Sequence, residues 1–188
     1  MAAVASTMLP LGTPLPSFTL PDTEGSPVTS DDLGTGKGVL VMFICNHCPY
    51  VKHLSEGLAE FGRDYMARGL GVVAISSNDA EKYPADAPDA MARERDEAGY
   101  AFPYLYDESQ EVARDFQAAC TPDFFLFDAD GELAYRGQFD GSRPGNDVAV
   151  TGADLRAAAD AVMAGEPVEA EQTPSVGCSI KWKAGNAP

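Results

Sequence analysis

The sequence predicts an α/β fold in which helices flank a mixed central sheet. Two continuous apolar runs, at residues 38–44 and 72–76, are typical of buried strands that are covered on both faces. Between them, residues 45–68 carry apolar side chains at steps of three and four, which is the period of a helix. This order of strand, helix and strand predicts two parallel strands joined by a right-handed crossover.

The flanking segments complete this fold. Near the N-terminus, residues 15–22 have the pattern of a strand that runs into a turn, which predicts a small β-hairpin. The later pattern predicts helices at residues 89–98, 111–118 and 153–164 and strands at residues 104–106, 124–127 and 133–136. We therefore expect one domain, residues 1–188, with a core at about residues 14–165 and an extended C-terminal extension, rich in Pro and Gly, at about residues 166–188.

The chain is strongly acidic, with a formal net charge of −16 over 188 residues. Such a charge repels the phosphates of nucleic acids and anionic lipids, so we expect neither nucleic acid nor membrane as a partner. Apolar runs are too short for a membrane span, and the first eight residues contain no Lys or Arg, unlike a signal peptide. These features predict a cytoplasmic protein, in which paired cysteines are more often catalytic or metal-binding than structural.

One pair of cysteines, Cys45 and Cys48, lies where the first apolar strand gives way to a helix. The first turn of a helix has free N–H groups and a positive dipole end, and both favour a thiolate. Helix N-termini and CxxC motifs lower a thiol pKa from its usual value of about 8.5. The sequence thus predicts a redox-active pair, with Cys45 as nucleophile and Cys48 as resolving thiol. Their disulfide is the only redox group that we expect, with no other cofactor and no metal.

Two residues between the cysteines are candidates for supporting roles. Asn46 is a favourable helix N-cap and would make Pro49 the third residue of the helix, where proline costs no intrahelical hydrogen bond. His47, if partly protonated, would stabilise the Cys45 thiolate and lower its pKa. The alternative for His47 is an exposed loop residue without a role.

A structural zinc site is the alternative for the cysteines themselves. Cys45 and Cys48 could join Cys120 and Cys178 as four ligands. Zinc ribbons, however, usually supply two close pairs of cysteines, and this chain contains one such pair. The position between strand and helix also favours redox chemistry.

The segment Cys45-Asn46-His47-Cys48 resembles the redox motif of the thioredoxin superfamily. A second segment agrees, because Thr121-Pro122, just before the predicted strand at residues 124–127, is similar to the cis-proline loop of that superfamily. The resemblance implies a thioredoxin-like fold. It also implies that Pro122 is cis, that it packs against the CxxC motif, and that Thr121 and Pro122 shape a groove for an extended substrate.

More narrowly, the chain resembles the peroxiredoxin-related AhpC/TSA branch. Residues 15–20 with Gly25 are similar to the start of that branch. Four further motifs, at residues 45–51, 120–128, 142–146 and 177–183, resemble the peroxiredoxin-like thioredoxin family proteins. The resemblance covers nearly the whole chain and implies thiol chemistry. The partners would be a disulfide-bearing protein or small molecule and a thiol reductant that the resemblance does not identify.

One departure from the peroxiredoxin pattern P-x-x-x-T-x-x-C bears on the activity. If Cys48 is placed as the peroxidatic cysteine, Cys45 stands at the threonine position and Val41 at the proline position. The arginine that peroxiredoxins carry before the late strand falls at Pro122. Disulfide exchange therefore fits the sequence better than peroxide reduction. A thiol peroxidase and a metal-binding or redox-sensing module remain the alternatives.

The other two cysteines lie outside the CxxC motif. Cys120 precedes Thr121-Pro122 and is expected to fill the core near the CxxC motif. Cys178 lies in the C-terminal extension, which we expect to pack on the domain through Ile180, Trp182 and the attraction of two lysines to an acidic protein. Cys178 would then either approach Cys120, which is the preferred hypothesis, or serve as an auxiliary thiol near the redox site.

Overall fold

Within residues 3–34 and 36–188, which the computed structural model describes, the chain forms ten strands and four α-helices. The strands are β1 (Ala3–Ala5), β2 (Thr19–Pro21), β3 (Pro27–Thr29), β4 (Val39–Phe43), β5 (Gly71–Ser76), β6 (Tyr104–Tyr106), β7 (Cys120–Thr121), β8 (Asp123–Phe127), β9 (Leu133–Gly137) and β10 (Val176–Ser179). The helices are α1 (Pro49–Ala67), α2 (Pro88–Ala98), α3 (Glu111–Asp115) and α4 (Ala153–Ala164). None of the described helices is long and apolar enough to cross a membrane.

The central sheet has five strands in the order β6-β5-β4-β8-β9. Strand β4 pairs in parallel with β5 and antiparallel with β8, so the sheet is mixed. Every residue of β4, β5 and β8 is buried, as expected for strands covered on both faces. The predicted unit of strand, helix and strand is confirmed as β4, α1 and β5.

Successive side chains of β4 point to opposite faces of the sheet and join two separate apolar cores. Leu40 and Met42 pack in the core that contains α1 and α4. Val41 and Phe43 pack in the second core, beneath α3 and the N-terminal hairpin. The sheet therefore lies between helical layers and holds the carboxyl end of β4, where the cysteine pair begins, in a rigid position.

The local predictions mostly agree with the structure. Strands β2 and β3 form the predicted hairpin, with Leu20 opposite Val28. Helices α2 and α4 begin and end close to the predicted bounds. Helix α3 is shorter than predicted and ends at Asp115, because Gln117 adopts a positive φ of 49° that no α-helix accommodates.

The C-terminal extension packs on the domain, as predicted, but it does so as a strand that the sequence did not reveal. β10 lies between β1 and β7 in a second, three-stranded sheet. Ile180 is buried beyond it, whereas Trp182 is half-buried. The lysines contribute less than expected, because the Lys181 Nζ donates to Ser179 within the extension and Lys183 lies 4.0 Å from the exposed Glu108. Backbone pairing and apolar packing hold the extension in place.

Candidate redox-active site

The loop between β4 and α1 carries the cysteine pair. Helix α1 begins at Pro49, and Cys48, with φ −74° and ψ 122°, is its N-cap. The prediction that Asn46 caps the helix is therefore wrong. The correct start places proline at the first helical position, where its missing N–H costs nothing. Cys48 thus lies at the positive end of the α1 dipole.

Asn46 is unavailable as a cap because its side chain is bonded elsewhere. The amide donates to the carbonyl oxygen of Ala85 at 2.8 Å, and its oxygen accepts a hydrogen bond from the Tyr104 hydroxyl at 3.0 Å. The backbone N–H of Asn46 donates to Asp86 at 2.8 Å. Asn46 therefore ties the cysteine loop to the segment before α2 and to β6.

Thr121 joins both cysteines to the strand on the other side of the site. Its hydroxyl lies 3.4 Å from the Cys45 Sγ, and its carbonyl oxygen accepts a hydrogen bond from the Cys48 Sγ at 3.1 Å. The peptide bond between Thr121 and Pro122 is cis, as predicted. The structure therefore brings together Cys45, Cys48 and the cis-proline loop, as the sequence resemblance implied.

The two thiols differ sharply in acidity. A hydrogen bond from the Cys45 thiol lowers the pKa of Cys48, although burial opposes this shift. The same hydrogen bond raises the pKa of Cys45, with further contributions from burial and the negative charge of Asp86. In the dithiol form these interactions raise the pKa of Cys45, which is opposite to the direction that the sequence predicted. The first proton lost from the pair leaves its negative charge on Cys48.

His47 is held by a carboxylate that the sequence analysis missed. Its Nδ1 lies 2.5 Å from Oδ2 of Asp86, and its ring stacks on Tyr83 with a centroid separation of 5.4 Å. The side chain of His47 is 18% exposed, and its Nε2 is buried without a hydrogen-bond partner among the described residues. These contacts do not fit a free loop histidine.

Asp86 is fully buried and receives four hydrogen bonds from three residues. Its Oδ1 accepts the backbone N–H groups of Asn46 and His47, and its Oδ2 accepts from the Asn78 amide at 2.8 Å and contacts the His47 ring. A buried carboxylate needs such partners to offset its lost hydration. Asp86 therefore fixes both the backbone and the imidazole of the cysteine loop.

The residues that could bind a metal ion in the structure differ from the four cysteines considered in the sequence analysis. Cys45, His47 and Asp86 can present one ligand atom each within 4.8 Å of one another. Sulfur, imidazole and carboxylate are a donor set that zinc accepts. Among the described residues, this constellation lacks Cys120 and Cys178, so the hypothesis of a four-cysteine zinc site is not supported.

Cys178 and Cys120 lie on opposite sides of the small sheet. In the pairing of β10 with β7, Cys178 faces Thr121 and Cys120 faces Ser179, and successive residues of a strand alternate in direction. Cys178 packs in one core with Cys45 and Cys48, whereas the Cys120 thiol points to the Pro122 carbonyl oxygen at 3.5 Å. The two cysteines are therefore close along the paired strands, as preferred, but their side chains lie on opposite faces, which does not favour a disulfide between them. The alternative position of Cys178 beside the redox site is confirmed.

The motif at residues 142–146 also lies beside Pro122. Arg143 lines a small cleft with Tyr50 and Pro122. Its guanidinium donates to the carbonyl oxygens of Asp140 and Ser142 and to the Gln138 side chain. The cleft borders the cis-proline loop, and the arginine is bonded to its own loop rather than directed to a cysteine.

Fold and site together define a thiol-based redox protein with a thioredoxin-like fold, of either the oxidoreductase or the peroxidase type. The fold matches a thiol:disulfide interchange protein of the thioredoxin family from Chlorobium tepidum TLS, with a TM-score of 0.63 at 20% identity over 81% of this chain and 97% of that chain. More narrowly, the chain belongs to the AhpC/TSA family, which matches residues 11–136. The predicted fold and family are thus confirmed.

The chain is also similar to two further proteins. The crystal structure of a conserved protein from Geobacillus kaustophilus has a TM-score of 0.96 and is 52% identical over 98% of both chains. A candidate peroxiredoxin, by its name, from Mycobacterium tuberculosis (strain ATCC 25618 / H37Rv) is 30% identical over 107 residues. That alignment spans 57% of this chain and 63% of the length of the mycobacterial protein.

Proposed function

We propose that this protein is a thiol–disulfide oxidoreductase that exchanges the disulfides of proteins or small molecules through Cys45 and Cys48. One observation supports this most directly. Both thiols lie at the start of α1, and both contact Thr121, the residue before cis-Pro122. Two cysteines three residues apart can form a disulfide with each other after attack on a substrate. A peroxidase that used Cys48 alone would not need a second thiol at the Cys45 position.

The first chemical step uses the hydrogen bond between the thiols. The Cys45 proton passes to the Cys48 thiolate, and the Cys45 thiolate attacks one sulfur of the substrate disulfide. The substrate bond breaks, one substrate thiolate leaves, and a mixed disulfide forms on Cys45. Because Cys45 is 1% exposed and Cys48 is fully buried, the substrate reaches the sulfur only after a local movement of the loop.

The second step releases the product. Cys48 gives its proton to the departing thiolate and attacks the Cys45 sulfur, which liberates the second substrate thiol and leaves a Cys45–Cys48 disulfide. A thiol reductant then returns the pair to the dithiol state. In this proposal the cysteine pair is the whole redox group, the reaction takes place in the cytoplasm, and neither nucleic acid nor membrane is a partner.

An insulin-reduction assay with a dithiol reductant tests this activity. The wild-type protein should accelerate the precipitation of insulin chains, and Cys45→Ser should abolish the acceleration. Cys120→Ser is the matched control, because this buried thiol points away from the pair, and it should retain activity. Equal rates for wild type and Cys45→Ser would contradict the proposal.

A thiol peroxidase is the second candidate, because Cys48 is a helix N-cap with a lowered pKa and is the cysteine that the resemblance to peroxiredoxins would place at the peroxidatic position. Disulfide exchange remains favoured, since Cys45 and Pro122 replace the threonine and arginine that peroxiredoxins use. Stopped-flow mixing of the reduced protein with hydrogen peroxide should give a rate no faster than that of a reactive free thiol. A fast second-order reaction that depends on Cys48 would favour the peroxidase instead.

A further inference from the structure

Cys178 reaches the redox site because β10 packs unusually closely on β7. A Cβ atom added to Gly177 would lie 2.0 Å from the carbonyl oxygen of Thr121, so only glycine permits this approach. The next residue, Cys178, faces Thr121 in the strand pairing. Thr121 is also the residue that contacts both thiols of the pair. Because the cysteine loop and β10 both contact Thr121, they lie next to each other.

The Cys48 sulfur consequently lies between two other thiols. All three cysteines pack in one core, and both Cys45 and Cys178 interact with Cys48 strongly enough to change its pKa. Burial and the interaction with Cys48 raise the pKa of Cys178 to about 11. Cys178 is 5% exposed, which is more than any of the other three cysteines. Cys48 therefore has two intramolecular partners for a disulfide, and one of them lies nearer to solvent.

We propose that Cys178 is a third redox thiol, which exchanges with the Cys45–Cys48 disulfide to form a Cys48–Cys178 disulfide. This inference rests on the proposed function of the pair. The Cys178 thiol gives up its proton, its thiolate attacks the Cys48 sulfur, the bond between Cys45 and Cys48 breaks, and the departing Cys45 thiolate takes up a proton. One disulfide is exchanged for another, so the step needs no external oxidant.

The exchange would separate the two half-reactions in space. Cys45 returns to its reduced form beside the cis-proline loop, while the oxidising equivalent moves to β10. A reductant can then attack Cys178, the least buried of the three residues, without entering the substrate site. Attack is fastest on an accessible sulfur whose partner is a good leaving thiol. When the reductant attacks the Cys178 sulfur, Cys48 is the leaving thiol, and its lowered pKa makes it a better leaving group than Cys178.

Disulfide mapping in the full-length Cys45→Ser variant tests this step without any substrate assay. Oxidised glutathione is used as the probe, and peptides are mapped by mass spectrometry under non-reducing conditions. Cys48 should first take up glutathione and then release it as the Cys48–Cys178 disulfide forms. In Cys45→Ser/Cys178→Ser the glutathione should stay on Cys48, and in the matched control Cys45→Ser/Cys120→Ser the disulfide should still form.

Two outcomes would overturn the inference. One is a glutathione adduct that persists on Cys48 in Cys45→Ser although Cys178 is intact. The other is that Cys48 and Cys178 both stay unmodified under conditions that fully oxidise the wild-type pair. Failure of the insulin assay, by contrast, would count against the proposed function and would leave the mapping result unchanged, so the two failures are distinguishable.

Discussion

At the scale of single residues, the chemistry of the site depends on which group donates to which. The Cys45 thiol donates to Cys48, so the negative charge of the pair rests at the helix N-cap, where the α1 dipole also favours it. Asp86 acts on the other side of the loop, where it holds His47 and disfavours a charge on Cys45. Both effects raise the pKa of Cys45.

The acidity of Cys48 leads to a pH-dependent prediction. An ordinary cysteine has a pKa of about 8.5. Because the pKa of Cys48 is lowered, its thiolate should persist well below that pH. Absorbance at 240 nm against pH should show this thiolate in the reduced wild type. It should disappear in Cys48→Ser, and in Cys45→Ala its pKa should rise because the donated hydrogen bond is lost.

The same shift has a consequence for stability. The folded pKa of Cys48 lies below the unfolded value, so the thiolate stabilises the reduced fold fully above about pH 8.5 and loses this contribution as pH falls through the folded pKa. The Cys120→Ala variant is the control for the pH dependence of both the thiolate and the stability, since that thiol points away from the pair. A Cys48 that titrates near 8.5 in wild type and Cys45→Ala alike would contradict both statements.

Asp86→Asn tests the carboxylate that positions the loop. The new amide can still accept from the backbone, but its NH₂ group would face the Asn78 amide, another donor. One unpaired buried donor should lower the free energy of unfolding by about 1–3 kcal/mol in urea denaturation. Asp130→Asn, at an exposed turn, should change it little. Equal losses in both variants would show that the Asp86 network has no special role.

Asp86 also shows why part of the site escaped sequence analysis. Cys45, Cys48 and Thr121-Pro122 belong to short motifs whose spacing is visible along the chain. Asp86 lies in a segment without such a motif, and its partners Asn46 and His47 are 40 and 39 residues away. Only the folded chain brings them together, so no local pattern could assign its role.

At the scale of secondary structure, β4 could be predicted from the sequence and β10 could not, again because β10 depends on contacts between distant parts of the chain. Residues 38–44 are all apolar, so burial on both faces is evident from the sequence. Strand β10, with Val176, Gly177, Cys178 and Ser179, lacks both an apolar run and an alternating pattern. It is a strand because β1 and β7, which are distant in sequence, offer it hydrogen bonds on both edges.

Gly177→Ala tests the close contact between β10 and β7. The added methyl group would clash with the Thr121 carbonyl, which is backbone and cannot rotate away. We expect a loss of about 1–3 kcal/mol in the free energy of unfolding, as for overpacking in a core. We also expect slower formation of the Cys48–Cys178 disulfide. Gly141→Ala is the matched control, because a Cβ there meets no atom closer than 4.0 Å. Unchanged stability and exchange in Gly177→Ala would contradict the assigned packing.

At the scale of the whole molecule, the net charge of −16 acts on every substrate that approaches the site. Such a field raises the local concentration of cations and lowers that of anions, and it changes association rates more than it changes the chemical step. Lys181 is a local exception, since it lowers the pKa of Cys178 by its positive charge. The long-range effect should nevertheless follow the overall charge, because 29 acidic residues outnumber 13 basic ones.

The field predicts a preference among small disulfides. At low ionic strength, cystamine, which is cationic, should oxidise the reduced pair faster than the neutral hydroxyethyl disulfide, and oxidised glutathione, which is anionic, should be slowest. The differences should shrink with added salt, because the Debye length falls from about 30 Å at 0.01 M to about 3 Å at 1 M. Stopped-flow fluorescence of Trp182 or quenched alkylation would measure the rates. If the anionic disulfide reacts fastest at low salt, local contacts at the cis-proline cleft, where Arg143 lies, outweigh the charge of the molecule.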